Sequence, residues 1–258
     1  MKKSLNESEI ITLYNKNWSA NKIAKHFLVD TKTIINRLKT NNIEIRKYTK
    51  KYELRNNYFN KIDTESKAYW LGFLMADGYN SGKYIRIDIK DDKHLEKLRD
   101  EVYFNKDMPV RIKNNPNGGY IYYLTIHDKN IVMDCEKFGI VNKKSFITEY
   151  PNIDVSKDRD FIRGLFDGDG CLSYSNYKNY RKYVFSIVGS ENLMISVRNI
   201  LINIGVNVSF GKCKSIYRIY ITGNRQVLKV LDWLYNDSKV FLDRKYIKYI
   251  EFIKYDLS

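Results

Sequence analysis

The chain has 258 residues, of which 43% are hydrophobic and 29% charged, so it is long enough to bury one large core or two modest ones. Its formal net charge of +15 favours a polyanionic partner, although codon usage in an A/T-rich genome would also enrich lysine. Because no long apolar run is present and polar sequence follows Met1, we expect neither a transmembrane helix nor a secretory signal. Three widely separated cysteines support neither a zinc site nor a disulfide framework, which fits a reducing compartment. We therefore expect a cytoplasmic protein, in a bacterial or phage-infected host or in an organelle.

The first 46 residues predict three short helices. Asn6, Ser19 and Asp30 (or Thr31) are residues of the kind that cap helix N-termini, and apolar residues follow each of them at helical spacing. Small Ala24 on the second helix would allow the third helix to cross it closely. We assign residues 1–46 to a small all-α domain.

This segment resembles the helix-turn-helix of resolvase-type and other bacterial DNA-binding domains. The resemblance implies that the third helix enters the major groove of DNA. Its outward residues are hydroxyls, an amide and two cations, which suit bases and phosphates. These candidates are Thr31, Lys32, Thr33, Asn36 and Arg37. A three-helix cap with a solvated basic face is the alternative. Residues 47–59, which begin with a basic run, are predicted to form a linker.

The remaining sequence contains an internal repeat. The segment YWLGFLMADGY at 69–79 matches FIRGLFDGDGC at 161–171, and the strand-like segments that follow also correspond. We place the first repeat at 60–152 and the second at 153–258. Each repeat is predicted to run helix, hairpin, helix, hairpin, helix. Alternation of apolar and polar residues in several strands predicts sheets with one face on helices and one polar face.

Small residues are spaced regularly in the two matched helices. Gly72 and Ala76 lie four residues apart, as do Gly164 and Gly168, so each pair falls on one helix face where two backbones can approach closely. We expect the glycines that follow, at 78 and 170, to stop the helices. Asp77 and Asp169 would then converge at adjacent helix C-termini. Helix dipoles and mutual repulsion make that place unfavourable for two carboxylates, and a hard divalent cation would relieve the conflict.

The segments WLGFLMADG (70–78) and IRGLFDGDG (162–170) resemble the LAGLIDADG motif of homing endonucleases. Both keep the small residues and the final Asp-Gly, whereas Met75 replaces an acidic residue and Arg163 a small one. The resemblance implies an α+β fold, a pseudo-two-fold pair of αββαββα repeats, here preceded by the helix-turn-helix. It also implies a metal-dependent enzyme that cleaves both strands of DNA at a specific site.

The family pattern also implies roles for individual residues. Asp77 and Asp169, with the main-chain carbonyls of Ala76 and Gly168, would hold metal ions that activate water. Mg²⁺ is the implied ion; Mn²⁺ would substitute for it, and Ca²⁺ would bind without supporting cleavage. A basic residue is expected near each scissile phosphate, and Lys144 and Lys245 match that place; phosphate contact or solvated charge is the alternative for both lysines.

The implied partner is double-stranded DNA with a long, asymmetric target, bound by a monomer without a membrane. The outward strand residues would read the DNA. In the first repeat these are Arg86, Asp88, Lys90, Arg111, Lys113, Tyr123 and Thr125, and in the second Lys182, Ser186, Lys212, Arg218 and Tyr220. The competing hypothesis is a DNA-binding regulator or an intron maturase that uses the same fold without cutting.

Overall fold

A computed structural model describes residues 5–46, 52–116, 118–142, 147–178 and 180–256. The chain divides into two compact units, residues 1–51 and 52–258. None of the helices in the described ranges is both long enough and apolar enough to cross a membrane.

The first unit contains three helices, α1 (Glu7–Asn15), α2 (Ala20–Phe27) and α3 (Thr31–Thr40). The side chain of Asn6 accepts hydrogen bonds from the first turn of α1, and Ser19 does the same for α2, as predicted. Asp30 occupies the N-cap of α3, but its side chain makes no capping hydrogen bond. Leu28, in the turn between α2 and α3, adopts a left-handed conformation with a φ of 57° and lies exposed. The three helices enclose a small apolar core of their own.

The second unit contains two copies of the predicted order of elements. The first copy consists of α4 (Glu65–Asp77), β1 (Gly78–Asn80), β2 (Ile85–Ile89), α5 (Asp92–Val102), β3 (Arg111–Asn114), β4 (Tyr120–Ile126) and α6 (Lys129–Lys137). The second consists of α7 (Asp158–Asp169), β5 (Gly170–Tyr177), β6 (Tyr180–Gly189), α8 (Glu191–Asn203), β7 (Ser209–Cys213), β8 (Ile216–Thr222) and α9 (Asn224–Tyr235), and α10 (Asp243–Asp256) follows. The two antiparallel sheets have the equivalent strand orders β1-β2-β4-β3 and β5-β6-β8-β7. The predicted fold class is confirmed.

The structure places the second half of the predicted linker in the second unit. Leu54 forms a β-bridge with Tyr103, and the side chains of Tyr58 and Phe59 are buried in the main core. Apolar burial therefore holds residues 52–59 against this unit, whereas a linker would leave them in water. Residues 47–51 lie outside the described part of the chain.

Helices α4 and α7 pack against each other through their small residues. A Cβ atom added to Gly72 would lie 2.0 Å from the carbonyl oxygen of Phe161, and one added to Gly164 would lie 1.9 Å from that of Tyr69. Each backbone therefore occupies the space that a side chain would need on the other helix. This contact brings the C-terminal ends of the two helices together.

Gly78 and Gly170 end these helices for a different reason than expected. Both lie in extended backbone, with φ values of −75° and −86°, and not in the left-handed conformation of a C-terminal glycine cap. A Cβ atom would lie 2.4 Å from the carbonyl oxygen of Leu74 at Gly78, and 2.1 Å from the ring of Phe166 at Gly170. Glycine is required here because the first strand turns tightly over the helix that precedes it.

Candidate functional site

The last residues of α4 and α7 form the centre of the candidate site. Asp77 and Asp169 are both exposed at these helix ends, and Ala76 and Gly168 are half-buried between them. A Cβ atom on Gly168 would lie 2.3 Å from Cβ of Ala76 and 3.4 Å from a carboxylate oxygen of Asp77. The helix ends are therefore in direct contact, and all four predicted metal-binding residues come together.

Lys245 lies in the first turn of α10 and points at the end of α7. It is only 5% exposed, and its Nζ atom donates hydrogen bonds to the carbonyls of Phe166 and Gly170, the latter at 2.6 Å. Burial lowers the pKa of this lysine to about 8, against the opposing influence of the nearby charges on Asp167 and Asp77. The predicted basic residue of the second repeat thus sits beside the two converging helix ends, while the neighbouring Arg244 is exposed and pairs with Asp91.

The polar face of the first sheet carries the predicted DNA-reading residues. Strand register pairs Arg86 with Thr125, and Asp88 and Arg111 both with Tyr123, so these side chains share one face. Lys113 lies on the same face, and Lys90, which is exposed, follows the end of β2. The opposite face contributes Ile85, Ile87 and Leu124 to the core.

The second sheet has a comparable face, with one exception. Ser186 pairs with Tyr220, and Lys182 and Arg218 lie on the same side of the sheet. Lys212 pairs with Tyr217 and therefore lies on the opposite face, the one that packs on helices, so its predicted place among the outward residues is wrong. It remains exposed because β7 is an edge strand.

Part of the second repeat matches a known sequence family, and the fold matches solved structures. Residues 156–233 match the model of a LAGLIDADG-like domain. The I-LtrWI LAGLIDADG homing endonuclease bound to target DNA aligns with a TM-score of 0.50 and 14% identity, over 79% of this chain and 92% of that one. The chain has the LAGLIDADG fold.

Two further structures give similar alignments. The LAGLIDADG meganuclease I-AabMI bound to uncleaved DNA aligns with a TM-score of 0.50 and 13% identity, over 73% of this chain and 90% of that one. Full-length WhiA from Thermatoga maritima aligns with a TM-score of 0.47 and 19% identity, over 77% of this chain but only 64% of that one. A search of curated proteins found no match.

A buried carboxylate in the second LAGLIDADG helix was not singled out by the sequence analysis. Asp167 is fully buried and accepts hydrogen bonds from the hydroxyls of Tyr69 at 2.8 Å and Tyr235 at 2.6 Å, and from the backbone N–H of Leu242 at 2.7 Å. Burial raises the pKa of this carboxyl, although the hydrogen bonds from its partners oppose that effect. Since Leu242 directly precedes α10, Asp167 ties the start of the helix that carries Lys245 to both repeats.

His94 extends this buried network and makes stability depend on pH. Its Nε2 atom lies 3.0 Å from the hydroxyl of Tyr69, and burial, with smaller effects from Lys97 and Arg244, lowers the pKa of His94 to about 3. An unfolded histidine titrates at about 6.5, so between these two values the unfolded chain binds a proton that the folded chain does not. The free energy of unfolding should therefore fall on acidification, with His94 contributing up to about 1.4 kcal/mol per pH unit.

We expect His94→Phe to make that fall shallower between pH 6 and pH 4, because phenylalanine fills the same site without taking up a proton. Urea denaturation at several pH values measures the difference, with the exposed His127→Phe as the matched control. Parallel curves for the wild type and His94→Phe would show that His94 does not carry the dependence.

Arg163, which stands where the LAGLIDADG consensus has a small residue, is also buried. Its guanidinium bonds to Asp160 at 2.9 Å and to Glu65 of the other repeat at 2.8 Å, and it donates to the carbonyls of Leu234 and Val240. The charge is therefore paired and each of its three nitrogens donates at least one hydrogen bond, which offsets the cost of burial. A cation inside an apolar helix was the sequence signal, but apart from Asp160, on the same helix, its partners lie 71 to 98 residues away along the chain.

The candidate residues of the helix-turn-helix lie on α3. Lys32 and Asn36 are exposed and Thr31 and Thr33 are half-buried, whereas the guanidinium of Arg37 pairs with Glu7 of α1 and so joins two helices. The other predicted basic residue, Lys144, lies outside the described residues.

Proposed function

We propose that this protein is a site-specific endonuclease that cleaves both strands of duplex DNA, of the homing endonuclease type. The observation that carries the proposal is the direct contact of two helix ends, each finishing in an exposed aspartate, in a molecule built from two unlike repeats. With two carboxylates at one contact, each could serve the hydrolysis of one phosphodiester, so that one bond is cut on each strand. The match of the fold to endonuclease structures determined with DNA supports this reading.

The sheet faces supply the proposed DNA surface. Both carry cations, hydroxyls and tyrosines, and the described strands of the second sheet contain no Asp or Glu. The two faces differ in length, since β5 has eight residues and β1 has three. A single chain with unequal halves would bind an asymmetric target as a monomer, and the helix-turn-helix would add further contacts.

The donor set fits a divalent cation. Two carboxylates and the carbonyls of Ala76 and Gly168 provide oxygen atoms, which Mg²⁺ and Mn²⁺ prefer. No cluster of three or more acidic, His or Cys ligands occurs among the described residues, which suits an ion that completes its shell with water and phosphate. Such an ion would lower the pKa of bound water and offset charge on the phosphate.

The chain's own residues perform the remaining tasks in this proposal. Asp77 and Asp169 place the cations at the contact between the repeats, on the side where the sheets would hold the backbone of DNA. Lys245 contributes positive charge beside one scissile phosphate, and Lys144 is its proposed counterpart in the first repeat. Asp167 holds the start of α10 in place through Leu242, and thereby keeps Lys245 close to the two aspartates.

Selection of cleaved duplexes from randomised and genomic DNA tests the proposal. With Mg²⁺ or Mn²⁺ we expect linear products cut on both strands at one sequence; with Ca²⁺ we expect binding without cleavage, and with EDTA no cleavage. Binding of a specific duplex without cleavage in either Mg²⁺ or Mn²⁺ would instead identify a non-cleaving regulator or a maturase.

A further inference from the structure

A cluster of three side chains occupies the middle of the polar face of the first sheet. Nε and Nη2 of Arg86 donate to one carboxylate oxygen of Asp88, at 3.0 and 2.9 Å. The guanidinium carbon also lies 4.0 Å from the centre of the Tyr123 ring. Arg86 is therefore held at its side by a carboxylate and from below by an aromatic ring, while about a quarter of its side chain remains exposed.

The hydrogen bonds to Asp88 leave the tip of the guanidinium available. A guanidinium has five N–H donors, and the two used here lie along its Nε–Nη2 edge. The remaining donors include one on each terminal nitrogen, parallel and at the end of the side chain. This pair fits two acceptors side by side, as O6 and N7 of guanine are presented in the major groove.

Charge in the cluster favours DNA in spite of the carboxylate. Nζ of Lys113 lies 3.4 Å from the same oxygen of Asp88, so one negative charge is shared between two cations. Arg111 lies next to Tyr123 on the adjacent strand and adds a further positive charge. Asp88 can thus orient Arg86 without repelling phosphates.

The described strands of the second sheet have no such cluster. Gly78 pairs with Ile87 and Gly170 with Ile187, so Arg86 corresponds to Ser186 and Asp88 to Val188. Asp88 pairs with Tyr123 and Val188 with Arg218, which places an exposed arginine at the position of the aromatic ring. Among the described strands, an arginine held by both a carboxylate and an aromatic ring is a property of the first sheet.

We propose that Arg86 reads a guanine in the half-site bound by the first sheet, with Asp88 and Tyr123 as positioning residues. The inference rests on the proposed function, because it requires that this sheet face lies in the major groove of duplex DNA. Beyond that function, it specifies which base is recognised, guanine, and in which half of the target that base lies.

Selection of bound duplexes from a randomised pool in Ca²⁺ tests the inference without requiring cleavage. The wild type should select guanine at one position of one half-site, preferring it over other bases by about tenfold or more. Arg86→Ala should remove the preference at that position alone. Arg86→Lys should also lose most of it, because lysine keeps the charge but not the paired donors. Asp88→Asn should weaken the preference severalfold while overall affinity stays the same or rises.

Arg218→Ala is the matched control, since it removes an exposed arginine from the second sheet and should alter only the other half-site. Thermal unfolding of each variant verifies that the surface substitutions leave the fold intact. If Arg86→Ala weakens binding to all sequences equally, Arg86 contacts phosphate and the inference is refuted. If Arg86→Ala still selects the same guanine, another residue reads that base, and if Arg86→Lys selects it as strongly as the wild type, the paired donors of arginine do not read it; either result also refutes the inference. If the wild type selects no duplex at all, the proposed function fails and the inference fails with it.

Discussion

Replacing either Asp77 or Asp169 by asparagine is expected to lower double-strand cleavage by about a thousandfold or more, with little loss of DNA affinity. Each substitution keeps the shape of the side chain but removes a charged oxygen that a divalent cation needs, and metal assistance is worth several kcal/mol in hydrolysis. Affinity should persist because the cationic sheet faces are unchanged and a negative charge near phosphate is lost.

Gel assays that resolve nicked from linear plasmid, with binding measured separately in Ca²⁺ and in EDTA, distinguish the two effects. Asp107→Asn is a suitable control, because it makes the same chemical change at an exposed turn before β3. Full cleavage by the double variant Asp77→Asn, Asp169→Asn would refute the assignment of the metal to these carboxylates.

Features that depend on local spacing were predictable from the sequence. Small residues recur at a spacing of four beside apolar neighbours, Gly72 with Ala76 and Gly164 with Gly168, so the two helices and the contact between them follow from the pattern alone. The contact then fixes where Asp77 and Asp169 lie. The centre of the candidate site was predictable because it depends on two short segments, each of which has two small residues at a spacing of four, followed by Asp-Gly.

Strand parity in the edge strand β7, and partners that lie far away along the chain, were not predictable. In β7 the residues around Lys212 do not alternate clearly, and an error of one residue moves every side chain to the other face. Asp167 is buried because its partners include Tyr235, 68 residues further along the chain, and Arg163 because it meets Glu65, 98 residues before it. No local pattern carries information about such partners, so only the folded chain shows that these charges are satisfied.

Gly164→Ala is expected to destabilise the second unit by roughly 3 kcal/mol or more, an unusually large effect for one added methyl group. The new carbon would lie 1.9 Å from the carbonyl oxygen of Tyr69 and 2.8 Å from the backbone nitrogen of Phe73. Both atoms belong to the main chain of α4, so a change of rotamer cannot relieve the overlap. The helices must separate, which also opens the contact that positions the aspartates.

Urea denaturation followed by circular dichroism measures the loss, and Gly211→Ala provides the control. That glycine lies in β7, where an added Cβ atom would have no heavy atom within 4 Å, so its substitution should change the free energy of unfolding by less than about 0.5 kcal/mol. Equal stability of Gly164→Ala and the wild type would show that α4 and α7 are not in backbone contact. The added methyl group lies in the contact between the helices and touches neither aspartate. If Gly164→Ala keeps its fold but loses cleavage, the spacing of the helix ends must therefore be more exact for activity than for folding.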